Sequence, residues 1–285
     1  MTDQSAATAA PAATADALPL LPLFYRALQP LNSQMHSGWR LKGGDASFAA
    51  KTPFVPIVVG ELAAAARSYP VVFAADSAQP VVVLGLEKQN LFIDDGQWAS
   101  DAYVPAYVRR YPFAFIATVN PEGFALAVDS GSERIADGGT EGAALFEEGK
   151  PSELTRQALG FCNAFQADAA ATKAFTDALK AQDLLIDRRA DATLPDGRKL
   201  GLEGFQVVDA EKFTKLPDAI ILEWHNNGYL AWVYFHLASL DRFQTLLSRQ
   251  AMRSGVTQPS SPPASDTGDA PLVDASPAPT KSKKA

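Results

Sequence analysis

Apolar residues along this chain follow two different periods. From residue 39 to about 128 they come in short β-branched runs, "PVVFAA", "PVVVLGL" and "NLFID", each bounded by Pro, Gly, Asp or Asn, which predicts strands. "IDDGQW" supplies an Asp-Gly turn, so residues 90–98 are expected to form a hairpin. "FAFIATV" and "GFALAVD", joined by "NPEG" at 120–123, predict a second. One helix interrupts this half at about 60–68, "GELAAAARS", with Glu61 in its first turn, where a carboxylate favours the helix dipole.

The second half changes period. In "PSELTRQALGFCNAFQADAAATKAFTDALKAQD", Ser152 offers an N-cap and Leu154, Ala158, Phe161 and Phe165 fall at spacings of four, three and four, which predicts a long amphipathic helix. "TLPDGRKL" at 193–200 reads as a turn, "FQVVD" as a strand, and Asp209 as the N-cap of a short helix. "PDAIILEWHNN" is a helix stopped by Gly228, and "YLAWVYFHLASLDRFQTLLSRQ" a single last helix, with Leu230, Val233, Leu237, Leu240 and Leu247 on one stripe. The expected fold class is α+β: an antiparallel or mixed sheet with hairpins in a sheet-rich part (18–146), packed with a helix-rich part (147–254) around one core.

Composition sets the limits of that domain. With 285 residues, 47% of them hydrophobic, the chain can bury a full core. Residues 1–17 and 255–285 have few large side chains and cannot offset ordering entropy, so they are expected to be mobile tails. A net charge of −7 argues against nucleic acid as a partner. Cys162 is the only cysteine, which excludes an intramolecular disulfide and a thiolate-rich zinc site. No Lys or Arg precedes Arg26, Pro19 and Pro22 interrupt the first apolar run, and no window reaches the length of a membrane span. A cytoplasmic location is the expectation.

Candidate chemistry is sparse. His36, His225 and His236 lack metal-ligand spacing, so neither a metal nor another cofactor is expected. His236, with Trp232 and Leu240 four residues to either side, is expected to be partly buried and held by one hydrogen bond. There is no Gly-x-Ser-x-Gly elbow, and Cys162 beside Phe161 and Phe165 reads as packing. "GWRLKGGD" has neighbouring glycines and a lysine but lacks Walker spacing and a following helix. In "VDSGSERIADGGTEG", Asp129, Glu133, Asp137 and Glu141 recur every fourth residue, as a solvated acidic loop or a partner for basic residues.

The densest cluster is "YVPAYVRRYPFAF", residues 103–115. Pro105 suits a helix start and Pro112 disfavours helix at Tyr111, so the helix is short and ends near Arg110. Helical phase gathers Val104, Tyr107, Val108 and Tyr111 on one side and sends Arg109 and Arg110 to the other. Three roles are open to the arginines: a solvated face, a clamp on the acidic loop, or a fork for a ligand carboxylate. Tyr103, Tyr107, Trp98 and Trp39 are expected to form an aromatic surface around them.

Several of these stretches, "PLFYRALQPLNSQMHSGWRL", "YPVVFA", "VVVLGLEKQNLFID", "YVPAYVRRYPFAF", "LPDGRKL", "GFQVVDAEKF" and "YFHLASL", together resemble the SapC family of bacterial proteins, in order from about residue 20 to 250. The family takes its name from a surface-layer gene cluster, and its members are often encoded near nutrient receptors, halogenase-like proteins and cupin-like oxygenases. The resemblance carries no catalytic residues across. It implies an accessory or binding protein without a catalytic site of its own, serving a protein partner. The alternative is an enzyme or small-molecule binder acting on an amino acid or peptide, with the arginines on a carboxylate and His36 or His236 moving protons. A surface-layer structural protein is the third reading.

Overall fold

The computed structural model describes residues 21–119, 121–193 and 197–253, so both expected tails and the expected turn around Asp196 lie outside the described residues. The β-branched runs pair as their pattern predicts. Val71–Ala74 lies antiparallel to Pro80–Val83, which in turn pairs with Phe54–Pro56. Along its other edge Val71–Ala74 receives Lys199–Val208, and Leu185–Thr193 lies outside that strand, completing a five-stranded antiparallel sheet. The two longest strands therefore come from the helix-rich half, and neither half holds this sheet alone. Leu185–Thr193 escapes the sequence pattern because it is an edge strand with Asp187, Arg188, Arg189 and Asp191 in water. Charged edges of this kind discourage pairing with other chains.

The sheet is pinned by a histidine. Phe205 and Gln206 pair with Ala74 and Phe73, and continuing that register two residues along would set Val208 against Val71. The imidazole of His236 stands there instead. Its Nε2 accepts from Val208 N–H at 3.0 Å and its Nδ1 faces the Val71 carbonyl at 2.9 Å, so the proton is on Nδ1. Ser239 Oγ accepts from Val71 N–H at 3.0 Å.

Smaller sheets complete the first half. Glu122–Asp129 lies between Leu28–Pro30 and Phe113–Val119, and Trp39–Leu41 between Ile135–Asp137 and Ala143–Ala144. The expected hairpin forms at Ile93–Asp94 and Gln97–Trp98, with Asp95 and Gly96 at φ of 47° and 76°. Positive φ at both central residues is what a tight hairpin requires.

Among the described residues the helices are α1 (Leu62–Ala65), α2 (Ala106–Arg109), α3 (Glu153–Ala181), α4 (Ala210–Phe213), α5 (Asp218–Asn227), α6 (Tyr229–Ser239) and α7 (Arg242–Arg253). Ser152 caps α3 by accepting from Thr155 N–H, Asp209 caps α4 by accepting from Glu211 and Lys212, and Gly228 ends α5 in a left-handed conformation. The single last helix expected from the sequence is two, α6 and α7. Ser239 is tied to both the sheet and the His236 carbonyl, and a tighter turn from Leu237 to Leu240 ends α6 there.

Three apolar clusters form the interior of the described residues, the least of them Tyr25, Tyr111 and Ala114 with Phe24, Leu28 and Phe48 against it; the other two are the main ones. The larger joins the five-stranded sheet to α1, Phe175 and Leu179 of α3, Trp224, Val233 and Leu246. The smaller gathers Phe113, Val128, Leu145, Phe146 and Cys162, with Leu154 and Ala158 from the start of α3 against it. At 1.5 Å per residue α3 is about 43 Å long and reaches from one cluster to the other. Its middle turn crosses the seam between them.

Candidate functional site

At that seam the one-turn helix α2 meets the middle of α3 and the turn at Val59–Glu61. Pro105 stands at the N-cap of α2, and its first free N–H, on Ala106, donates to Glu61 Oε2 at 2.7 Å. Glu61 is 5% exposed and takes two more donors, Val58 N–H at 3.0 Å and the Tyr103 hydroxyl at 3.0 Å. Burial raises its pKa, and these donors, with Arg109 nearby, pull it back. Three donors and no acceptor fit the ionised form.

Tyr103 links this acid to Arg109. Its hydroxyl accepts from Arg109 Nη2 at 2.9 Å while donating to Glu61, and burial pushes its own pKa up. Arg109 Nε donates to the Val104 carbonyl at 3.0 Å, and its guanidinium lies over the Phe161 ring. The fork is thus fixed on one edge, with Nη1 bonded to no described residue. Arg109, Tyr103 and Glu61 line a pocket of about 220 Å³ with Phe161, Phe165 and Asp168 of α3. Gly60 closes one wall, where an added Cβ would come within 2.5 Å of Asp168 Oδ2. The pocket therefore sets a cationic fork and a carboxylate beside an apolar wall.

The two arginines part company here. Helical phase predicts both on the outer side, but Arg110 follows the last helical residue and turns back into the protein. Its guanidinium lies 4.1 Å from the Tyr107 ring centre and 4.4 Å from that of Phe165, and Nε is buried without a hydrogen-bond partner. Cation–π attraction holds it there. Arg110 thus clips α2 to α3 and does not line the Arg109 pocket. Neither arginine pairs with the acidic loop. Asp129 of that loop is not solvated at all: it is fully buried, accepting from Arg26, Ala27 and Gly131 N–H and from the Tyr111 hydroxyl. Glu133, Asp137 and Glu141 are exposed, as expected.

The remaining candidate residues divide between places. Trp98 Nε1 donates to the Tyr69 hydroxyl at 2.9 Å, and that hydroxyl donates to the Tyr103 carbonyl, so Trp98 supports the site from behind. Tyr107 is buried beneath Arg110 and contributes no aromatic surface. Trp39 packs against the smaller cluster with His36 tilted on it, so it shares no surface with Tyr103. His36 is buried, its Nδ1 accepts from Asn32 N–H at 3.1 Å, and burial lowers its pKa. His236 is fully buried with both nitrogens bonded, so it has no face for a substrate and makes two hydrogen bonds rather than the expected one. Cys162 is buried, and burial pushes its thiol up to about 11.

Sequence reasoning missed Glu61 as a site residue, and Asp168 altogether. Glu61 has the signature of a first-turn acid, and Asp168 sits on a helix whose pattern advertises only its apolar stripe.

Among the described residues no helix is long and apolar enough to cross a membrane, and no group of three or more His, Cys, Asp or Glu side chains is placed to hold a metal. No curated protein and no solved structure matches the chain. The family profile described as SapC matches residues 31–246, most of the chain and the segment that supplies every residue of the pocket. The chain belongs to the SapC family.

Proposed function

We propose that this protein acts by binding, as an accessory protein whose Arg109 pocket receives the carboxylate of an amino acid or the end of a peptide. One observation carries the reading: Arg109 is held from behind by Val104 and Tyr103 and has Nη1 without an acceptor among the described residues, in a pocket that also holds Asp168 and two phenylalanines. A guanidinium edge fits a carboxylate, and an acid across the pocket fits an ammonium group. The Phe161 and Phe165 wall fits an apolar side chain. Thermal melts against amino acids and short peptides test this. A ligand at 100 times its Kd adds ~2.7 kcal/mol of apparent stability, and complete indifference contradicts the reading.

A protein partner is favoured by a separate observation. α5 and α6 expose apolar side chains, with Leu222 at 63% and Tyr234 at 61%, beside Ile221 and Phe235. An exposed apolar patch of this kind marks interaction surfaces. In this reading the ligand pocket serves an enzyme encoded nearby, as the family's setting implies. Purification from native cells should recover a stoichiometric partner that the Leu222→Ser and Tyr234→Ser variants lose; a clean monomer under mild conditions counts against it.

A further inference from the structure

A second cleft of about 460 Å³, larger than the Arg109 pocket's 220 Å³, opens between the segment Lys42–Phe48 and the loop at Ser132–Arg134. Its floor includes half-buried Phe48, stacked on the buried Tyr111 ring with 4.2 Å between ring centres. Lys42 and Arg134 stand half-buried around these rings, and Arg26 is exposed at the edge. The side chains of Arg26 and Lys42 make no hydrogen bond or ion pair with any described residue. Arg134 gives one N–H to the Tyr111 carbonyl at 3.1 Å, but its Nε is buried with no acceptor. The N–H groups of Gly43 and Gly44 also donate to no described residue. Gly44 lies directly on the arginine: a Cβ there would stand 2.7 Å from Arg134 Cδ.

The acids of the cleft sit differently. Asp45, Glu133 and Glu141 are all exposed, and Asp45 already accepts from Ser47 N–H at 2.9 Å. Three basic and three acidic side chains thus share the lining, Asp45 acts on Arg134, and Arg134 Nε is the one buried side-chain donor here without an acceptor among the described residues. Gly44 covers that Nε, but Arg134 Nη2 and Lys42 Nζ have no acceptor among the described residues, and an anion between them would gain charge-assisted hydrogen bonds.

We propose that this cleft binds a small planar organic anion, an aryl or heteroaryl ring bearing a carboxylate or a phosphate ester. The ring covers Phe48, and the anionic group reaches Lys42, Arg134 and the Gly43–Gly44 amides. An inorganic anion would use the donors alone and leave Phe48 wet, so the ring sets the class of ligand. The site shares no residue with the Arg109 pocket and does not depend on it.

Calorimetric titration of the full chain with benzoate, phenyl phosphate, inorganic phosphate and benzylamine tests the proposal. It is run on wild type and on Arg109→Gln, so that the other pocket's contribution is removed. Benzoate or phenyl phosphate should bind in both proteins, tighter than inorganic phosphate, and the stronger of the two identifies the anionic group. Arg134→Gln and Lys42→Gln should each weaken binding about tenfold or more. The Lys42 side chain has no partner to lose, so its variant keeps the test informative if Arg134→Gln fails to fold. No binding by either aryl anion, inorganic phosphate binding as tightly as phenyl phosphate, preference for benzylamine, or affinity unchanged in Lys42→Gln would each overturn it.

Discussion

Burial fixes the charge state of His236, and with it part of the pH dependence of the fold. Its pKa falls from 6.5 to about 4, chiefly because the fully enclosed ring has lost its water. Above pH 6.5 the imidazole is neutral in both folded and unfolded chains. Between 6.5 and 4 only the unfolded chain takes up the proton, so this contribution to stability is complete above 6.5 and lost as pH falls toward 4. The loss amounts to about 3 kcal/mol. Urea denaturation at pH 7 and pH 4.5 checks it: wild type should lose more stability than His236→Gln over that interval, and equal losses would contradict the wedge. The arginines carry the second residue-scale lesson. Arg110→Gln should cost about 2 kcal/mol through its lost ring contacts, while Arg109→Gln, which loses two exposed hydrogen bonds, should cost about 1 kcal/mol, both read from chemical denaturation. Helical phase gave the right side for Arg109 only, because α2 is a single turn and Arg110 lies at its end. Tyr25 and Phe165, which complete the cage, are distant in sequence and leave no local sign.

At the scale of elements, helix ends with their own capping chemistry were read correctly, while the helix expected at about 60–68 is only the single turn Leu62–Ala65, with Glu61 ahead of it. Ser152, Asp209 and Gly228 mark helix ends by their own chemistry, and each does so in the fold. Ser152→Ala should therefore cost about 1 kcal/mol, seen as a lower midpoint in thermal or urea melts with no change in the fold. The other errors came where a distant element decides the outcome. The break between α6 and α7 is made by Ser239 and His236 docking on Val71, and no proline or glycine announces it. Leu185–Thr193 is a strand because Lys199–Val208 offers it an edge, although its own residues alternate poorly.

For the whole molecule, the decisive feature is that α3 bridges two apolar clusters and that the central sheet draws strands from both halves. A fragment ending at Pro151 would leave Val71–Ala74 as an open edge and lose Phe175, Leu179 and Val233 from the core. It should show no cooperative unfolding transition by circular dichroism, and a sharp one would contradict this architecture. The candidate site has the same origin. Tyr103 and Arg109 were visible in the sequence as an aromatic and basic cluster, but Glu61 reaches them from the Val59–Glu61 turn and Asp168 from α3 where it crosses the seam, so their part in the pocket was not. The central claim is that Arg109, and not Arg110, presents a carboxylate site. Isothermal titration of wild type, Arg109→Gln and Arg110→Gln with a short peptide that binds wild type, and with its C-terminal amide, tests it most directly. Binding should need the free carboxylate, weaken at least about tenfold in Arg109→Gln, and survive in Arg110→Gln. Equal affinity for acid and amide, or binding undiminished in Arg109→Gln, would contradict the account.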